Sequence, residues 1–152
     1  MENYEISEDT LAIIGDNFGN TKIIEKNQEY EISKRAYEIM DENCKYYGSS
    51  YNGRLKSAKE ILDCSYKLPI VMEESTMLIF FPTKSSLLED CCWINYNAIE
   101  ENENKGSKTL LKLINSKEIM IDMSLLSLKN QIYRSTRLES VLRQRLKKIR
   151  RE

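Results

Sequence analysis

Three polar segments of the sequence carry side chains whose types and spacing suit contacts with a nucleic acid. Hydroxyl, amide and guanidinium groups bind phosphate oxygens or the edges of bases. The candidate DNA-binding residues are Ser49, Ser50, Arg54, Lys56, Lys84, Ser85, Ser86, Asn130, Arg134 and Arg137. Each segment also has a purely structural interpretation, so spacing alone does not decide its role.

The first segment is Gly48-Ser49-Ser50, which precedes a predicted helix that bears Arg54. The free N–H groups at a helix N-terminus attract anions, and Arg54 would add a bidentate partner for a phosphate. The alternative is a tight turn with an ordinary serine or asparagine cap. The segment is not a P-loop, because the spaced glycines and the Gly-Lys-Ser/Thr ending are absent.

The second segment, Thr83-Lys84-Ser85-Ser86, follows an apolar run and is expected to form a polar loop with one cation. Loops of this kind contact DNA phosphates through hydroxyl and backbone N–H groups. They are as often ordinary surface turns. The sequence around Lys84 is therefore compatible with either role.

The third segment places Asn130, Arg134 and Arg137 on one helical face, at spacings of four and three. Asparagine and arginine read the edges of adenine and guanine, and arginine also enters narrow A·T minor grooves. The alternative is a solvated polar face that lies opposite Leu128 and Ile132.

The net charge of −1 hides a strong asymmetry along the chain. From Lys129 to the C-terminus, nine basic residues outnumber two acidic ones, which leaves +7, whereas the preceding part of the chain carries −8. A basic C-terminal element on an acidic body is typical of an arm that binds a polyanion. A solvated helix that pairs with its own acidic body would have the same composition.

The residue types argue against an enzyme. The sequence lacks histidine, so neither a Ser-His-Asp nor a Cys-His arrangement can form within the chain. Its four cysteines, at positions 44, 64, 91 and 92, form no Cys-x-x-Cys pair, and buried reduced thiols fit this pattern better than a zinc site. We therefore expect no catalysis, no bound metal and no cofactor.

Composition also bounds the location and size of the protein. No run approaches the roughly 18 consecutive apolar residues of a membrane span. The acidic N-terminus lacks the apolar run of a secretory signal, so we expect a cytoplasmic protein with no membrane partner. Hydrophobic residues make up 41% of the chain, enough for the core of a single domain over residues 1–152.

Three tyrosines, Tyr46, Tyr47 and Tyr51, lie close to Lys45 and Arg54 in the sequence. Together they resemble a platform on which bases could stack. Aromatic side chains more often close a hydrophobic core, and no repeated platform spacing is present. We therefore expect the core role for this group.

The elements that position these segments indicate an α+β fold with a small mixed or antiparallel sheet. Strands are predicted at residues 10–14, 21–25 and 29–32, as an antiparallel meander with one solvent-exposed face. Further strands are predicted at residues 69–72, 77–81, 110–114 and 118–123, and residues 92–99 are predicted to form one strand or two. Residues 100–108, rich in Glu and Asn, are expected to form a surface loop.

Two central helices are predicted between these groups of strands. The first is expected to run from a Ser33 cap to about Tyr46, with Gly48 as its left-handed cap. The second would start after Ser50 and end near residue 63.

A long basic helix is predicted at the C-terminus. Ser124 would cap it, and the helix would cover about residues 125–148. Its first half is expected to dock on the body, and its basic second half to project into solvent or meet a twin helix.

The middle and C-terminal thirds resemble a known family. Residues 44–54, Cys-Lys-Tyr-Tyr-Gly-Ser-Ser-Tyr-Asn-Gly-Arg, resemble the C-x-[FY]-[FY]-G-S-S-Y-x-G-R stretch of the ComK family. The other motifs that match in order are residues 22–26, 68–70, 81–86, 92–94 and 130–134. The resemblance runs from about Lys22 to Lys148, and several short motifs in the same order make it specific.

The resemblance implies a bacterial transcription factor that activates competence genes. It implies binding to double-stranded A/T-rich promoter boxes, largely through the minor groove, by a homodimer that pairs to a tetramer. It also implies a nucleoid-associated location and a proteolytic adaptor as a further partner. Arg54, Lys84 and Arg134 lie in matching motifs, and Arg137 follows the last of these motifs on the same helical face. These four side chains would then contact DNA.

A second function remains open at this point. Longer members of the family continue past the basic helix, whereas this sequence stops at Arg150-Arg151-Glu152, which puts adaptor-mediated proteolysis in doubt. The alternative is a protein-interaction module that dimerises with a full-length regulator or antagonises it. Binding that weakens steeply with salt would favour DNA, and a weak salt dependence would favour a protein partner.

Overall fold

Nine strands and three helices make up the part of the chain that the computed structural model describes, residues 3–150. In chain order they are β1 (Thr10–Gly15), β2 (Thr21–Glu25), β3 (Glu29–Ile32), α1 (Ala36–Tyr46), α2 (Tyr51–Leu62), β4 (Ile70–Glu73), β5 (Leu78–Pro82), β6 (Cys92–Asn95), β7 (Ile99–Lys105), β8 (Lys108–Leu113), β9 (Glu118–Ile121) and α3 (Leu125–Arg150). The predicted α+β class, with two central helices and a long C-terminal helix, is confirmed.

The strands pair antiparallel and form two sheets. The larger sheet has the order β3-β2-β1-β6-β5-β4, and the smaller one is β7-β8-β9. The predicted N-terminal meander is confirmed as β1 to β3, but its solvent-exposed face is wrong for β1. Ala12 and Ile13 are both fully buried, and they belong to apolar clusters on opposite faces of the sheet.

The six-stranded sheet is therefore the middle layer of the fold. On one face, Trp93 shares an apolar cluster with Met40 of α1 and Tyr51 of α2. On the other face, Ile94 shares a cluster with strands β8 and β9 and with Leu128 of α3. Because both faces are covered, β5 is buried along its whole length, as its unbroken apolar sequence predicts.

Capping side chains set the ends of the helices. Gly48 adopts a φ of +86° after α1, and Ser49 N–H donates to the Cys44 carbonyl at 2.9 Å, which confirms the predicted left-handed cap. Ser124 is confirmed as the cap of α3, because its Oγ accepts from Ser127 N–H at 3.2 Å. None of the described helices has the length and apolar character that a membrane crossing requires.

Two details of the predicted elements are wrong. The helix α1 begins after Arg35 rather than at Ser33, because residues 33–34 form the bend that leads out of β3. Residues 99–105 form strand β7 rather than a loop. Its side chains are almost all exposed, and it is held by backbone pairing with β8 instead of by apolar burial.

Gly15, at the end of β1, lies against the backbone of the loop between β5 and β6. A Cβ atom there would collide with the Glu89 carbonyl oxygen and lie 3.0 Å from the Cys91 carbonyl oxygen. We expect Gly15→Ala to lower the free energy of unfolding by about 2–3 kcal/mol, because backbone atoms cannot move aside as a flexible side chain can. Urea denaturation measures this change.

Gly19→Ala is the matched comparison for this variant. Gly19 has a φ of +81° and open space around its Cα, so its substitution costs only backbone strain of about 1 kcal/mol. A Gly15→Ala variant no less stable than Gly19→Ala would show that the loop does not press on β1.

Candidate nucleic-acid interface

Lysine and arginine side chains without a carboxylate partner concentrate in one part of the described chain. Within residues 3–150, the basic side chains with no carboxylate oxygen within 4.0 Å are Lys56, Lys59, Lys67, Lys108, Lys112, Lys129, Arg134, Arg137, Lys147, Lys148 and Arg150. Apart from Lys108 and Lys112 on β8, all of them lie on α2, on α3 or in the loop between α2 and β4, residues 63–69. We call α2, this loop and α3 the cationic face.

A buried glutamine of α3, Gln131, holds the loops of this region against the helix. Its Nε2 donates to the Lys67 carbonyl at 2.8 Å and to the Pro82 carbonyl at 3.0 Å. Pro82 ends β5, so one amide holds both the 63–69 loop and the start of the β5–β6 loop against α3. In the helix interior, Ser135 Oγ donates to the Gln131 carbonyl at 2.9 Å.

Arg134 lies one turn beyond Gln131 and faces the same loop. Its guanidinium is 5.9 Å from the centre of the Tyr66 ring, within the range of a cation–π contact. Asn130 and Arg134 line a small cavity of about 90 Å³ together with Tyr66 and Lys67. Arg137, the third predicted residue of this helical face, is exposed one turn further on.

Ser85 and Ser86 line a second cavity together with Tyr66 and Lys67. This cavity is larger, about 390 Å³, and its mainly apolar walls include Leu55. The structure thus brings two of the three predicted segments together around a pair of residues, Tyr66 and Lys67, that sequence reasoning missed. An aromatic residue beside a lysine, just before the Leu68-Pro69-Ile70 motif, was the available signal.

The first predicted segment has a structural role in the fold. Ser50 Oγ accepts from Gly53 N–H at 2.9 Å and caps α2, as in the simple interpretation of this turn. Arg54 pairs with Glu74 at 2.7 Å, and only 13% of its side chain is exposed. Ser49 is half-buried, and the exposed Lys56 points from α2 without a carboxylate partner among the described residues.

Lys84 is also neutralised within the fold. Its Nζ lies 2.5 Å from Asp90 and 2.9 Å from Asp122, which follows β9. Hydrogen bonds to these two carboxylates raise the pKa of Lys84 above its usual range. Lys84 therefore ties the β5–β6 loop to the smaller sheet, and its contact with DNA would require at least one of these ion pairs to open.

The tyrosine group belongs mainly to the core, as expected. Tyr51 is buried and packs edge-on against Trp93 with ring centroids 6.1 Å apart. Tyr47 is half-buried and donates its hydroxyl proton to the Ile6 carbonyl at 2.5 Å. Of the three predicted tyrosines, Tyr46 alone has a largely exposed ring.

The four cysteines are free thiols and differ in environment. Burial raises the pKa of Cys44, Cys91 and Cys92 to about 11. Cys64 is half-exposed and lies in the 63–69 loop of the cationic face. Among residues 3–150, no cluster of His, Cys, Asp and Glu side chains has the composition to hold a metal ion.

This difference predicts a single fast thiol in the native protein. A chromogenic disulfide reagent at pH 8 should label Cys64 first, because the thiolate is the reactive species and the other three thiols stay protonated. The rate is followed by absorbance, and Cys64→Ser should remove the fast phase. A fast phase that survives in Cys64→Ser would contradict the assignment.

Comparison with known proteins identifies the family. The family model of the ComK protein matches residues 1–147. The chain belongs to the ComK family. A competence transcription factor of Bacillus subtilis (strain 168) is 30% identical to it over 150 residues, which cover 96% of this chain and 78% of that protein. No solved structure matches the chain.

ComK membership and this relative support a regulator of competence transcription and not an enzyme. The ComK-like stretch at residues 44–54 forms the corner between α1 and α2. Space is tight at Gly53, because a Cβ atom would lie 3.0 Å from Ser50 Oγ and 3.2 Å from Ser49 Oγ, so these hydroxyls would have to shift. The motif at residues 44–54 therefore sets the turn between α1 and α2. None of the described basic residues without a carboxylate partner lies within it.

Proposed function

We propose that this ComK-family chain activates competence genes by binding A/T-rich promoter boxes through the minor groove and the phosphate backbone. The observation that supports this proposal is the cationic face, where nine of the basic side chains of α2, α3 and the 63–69 loop have no carboxylate oxygen within 4.0 Å among the described residues. A polyanion supplies the missing negative charge and releases counterions when it binds.

In this proposal the residues of the face divide into two groups. Arg134 and Arg137 enter the narrow minor groove of an A-tract, where the negative potential is strongest, and Asn130 reads base edges beside them. Lys56, Lys67 and Lys129 contact phosphates, and the hydroxyls of Ser85 and Ser86 add backbone contacts. We also predict contacts with DNA for Ser49, Ser50, Arg54 and Lys84. Arg54 and Lys84 would first have to leave their ion pairs with Glu74 and with Asp90 or Asp122.

Assembly on the promoter is part of the same proposal. A homodimer that pairs to a tetramer would place two cationic faces on two boxes. The far half of α3 supports a helix-to-helix contact, because Leu142 and Leu146 are only half-buried and Ile149 is exposed. Recognition by a proteolytic adaptor and association with the nucleoid are further parts of the proposal.

Fluorescence anisotropy against two labelled duplexes tests the proposal. One duplex carries paired A/T-rich boxes and the other has the same length in G·C-rich sequence, each at two salt concentrations. We expect tighter binding to the A/T-rich duplex. We also expect the logarithm of the affinity to fall linearly with the logarithm of the salt concentration, with a slope of about −0.9 for each phosphate neutralised. Binding without sequence preference, or no binding, would refute the proposal and direct the search to a protein partner.

A further inference from the structure

Two exposed apolar side chains lie at the same end of the six-stranded sheet. Leu87, in the β5–β6 loop of residues 83–91, is 80% exposed, and Phe18, in the β1–β2 turn of residues 16–20, is 87% exposed. The antiparallel pairing of Ile14 with Cys92 puts both connections at one end of the sheet. Exposure of such large apolar side chains in water gains nothing for folding.

Both side chains are held on fixed supports. The β5–β6 loop closes through two successive turns, in which Leu88 N–H donates to the Ser85 carbonyl and Cys91 N–H to the Leu88 carbonyl. In the β1–β2 turn, Asp16 Oδ1 accepts from the N–H groups of Phe18 and Asn20, at 2.8 and 3.0 Å. Because these hydrogen bonds fix the backbone of both turns, the two side chains lose little conformational freedom when they bind a ligand.

Leu87 adjoins the cationic face. It lines the same cavity as Tyr66 and Lys67, the two residues that Gln131 and Arg134 hold against α3. The β1–β2 turn and the β5–β6 loop are each centred between two strands, and the two centres lie two strand spacings apart in the sheet. That separation is about 10 Å, or about three steps of a base-pair stack.

We propose that Leu87, with Phe18 as a second contact, inserts between stacked base pairs of duplex DNA and kinks it. The inference rests on the proposed function, because it concerns the way in which the same surface meets DNA. Proteins that bind the minor groove use Phe, Leu, Ile or Met side chains as wedges that unstack a base step, and bending then brings more protein surface to the duplex. Leu87 places an exposed side chain of this type at the tip of the β5–β6 loop.

The charges near Leu87 favour DNA over a protein partner. The two carboxylates of the loop tip are in ion pairs, Glu89 with Arg35 at 3.8 Å and Asp90 with Lys84 at 2.5 Å. Neutralised in this way, they oppose the approach of a polyanion less than free carboxylates would. Lys67, which has no carboxylate partner among the described residues, lines the same cavity as Leu87. The centre of a protein docking surface, in contrast, is depleted in charge.

The test uses the full chain and A/T-rich duplexes in which 2-aminopurine replaces adenine at successive positions, one per duplex. End-to-end energy transfer on the same duplex reports the bend. The variants are Leu87→Ser and Phe18→Ser, and the matched control is Ile114→Ser. Ile114 is 45% exposed at the opposite end of the sheet, so its substitution removes a similar apolar group from outside the proposed contact.

At saturation we expect the wild-type protein to raise 2-aminopurine fluorescence at one or two positions. We expect it to bend the duplex within the range of about 20–90° that is typical of apolar wedges. Leu87→Ser should lose most of both signals, Phe18→Ser should lose part of them, and Ile114→Ser should keep them. The affinity of Leu87→Ser should still fall steeply with salt, because the cationic face is intact.

Three outcomes would overturn the inference. The first is a wild-type protein that binds the duplex by anisotropy without raising fluorescence at any position. The second is Leu87→Ser with the fluorescence and bend of the wild type. The third is a Leu87→Ser variant that changes only the sedimentation of the free protein, which would make the loop a contact between copies. Failure of the wild-type protein to bind duplex DNA would instead refute the proposed function, and anisotropy detects it separately.

Discussion

The double substitution Arg134→Glu and Arg137→Glu should reduce the affinity for A/T-rich duplex by about a hundredfold or more. Each arginine in a groove contributes about 1–3 kcal/mol, and a tenfold change in affinity corresponds to 1.4 kcal/mol. Charge reversal adds repulsion from the phosphates to the lost contacts. Arg137 is exposed, whereas Arg134→Glu also removes the cation–π contact with Tyr66. Urea denaturation must therefore show that the double variant is folded before its affinity is compared.

The matched control is Lys108→Glu with Lys112→Glu on strand β8. It changes the net charge by the same amount, but Lys112 lies beside Glu101, Glu103 and Glu118 and away from the cationic face. We expect this pair to change affinity only slightly at physiological salt, where exposed charges beyond about 8 Å are screened. Equal losses in both double variants would mean that overall charge, and not one face, governs binding.

Single alanine variants resolve the contribution of each arginine. Arg134→Ala and Arg137→Ala should each weaken binding by about 1–3 kcal/mol if the side chain enters the groove. Unchanged anisotropy curves for both would remove the two arginines from the proposed contact.

Gln131→Leu should lower the free energy of unfolding by about 2–4 kcal/mol, although leucine is more apolar and similar in size. The substitution leaves the buried Pro82 carbonyl and the partly buried Lys67 carbonyl without their shared donor, and a buried acceptor without a partner costs about 1–3 kcal/mol. Urea denaturation measures the loss. The 63–69 loop should also detach from α3, which would displace Lys67 and weaken DNA binding.

Gln144→Leu provides the same chemical change on the same helix. Gln144 is exposed, so we expect its replacement to alter stability by no more than about 0.5 kcal/mol. A Gln131→Leu variant as stable as Gln144→Leu would show that the two carbonyls find other donors. Weakened DNA binding in Gln131→Leu under conditions where it is fully folded would support a positioning role for this amide.

The sequence predicts those elements that bury apolar residues at a regular spacing. Strand β5 follows from an unbroken apolar run. Helix α3 follows from the Ser124 cap and from apolar residues such as Leu128 and Ile132 at a spacing of four. Strand β7 could not be predicted, because its exposed side chains alternate in no recognisable way and only its backbone partner, β8, makes it a strand. The division into two sheets likewise depends on pairing between distant segments.

The composition of the candidate site could be predicted better than its geometry. Arg134 and Asn130 remain on the proposed surface because a helix fixes which residues share a face. The ion pairs of Arg54 and Lys84 connect them to Glu74 and Asp122, at sequence separations that no local pattern reveals. Tyr66 and Lys67 enter the site through a hydrogen bond from Gln131, 64 residues away from Lys67.

The pairing between β1 and β6 has a consequence for the folding kinetics. Strands β1 to β3 pair locally, as do β4 to β6, but residues 12–14 must meet residues 92–94 to join the two halves of the sheet. Closing such a long loop costs entropy before its contacts compensate, so non-local pairing is a slow step. The two three-stranded halves, β1 to β3 and β4 to β6, would then form early, with β1 and β6 unpaired at their edges. Until residues 92–94 pair with residues 12–14, these edges leave the nascent chain prone to pairing with other chains.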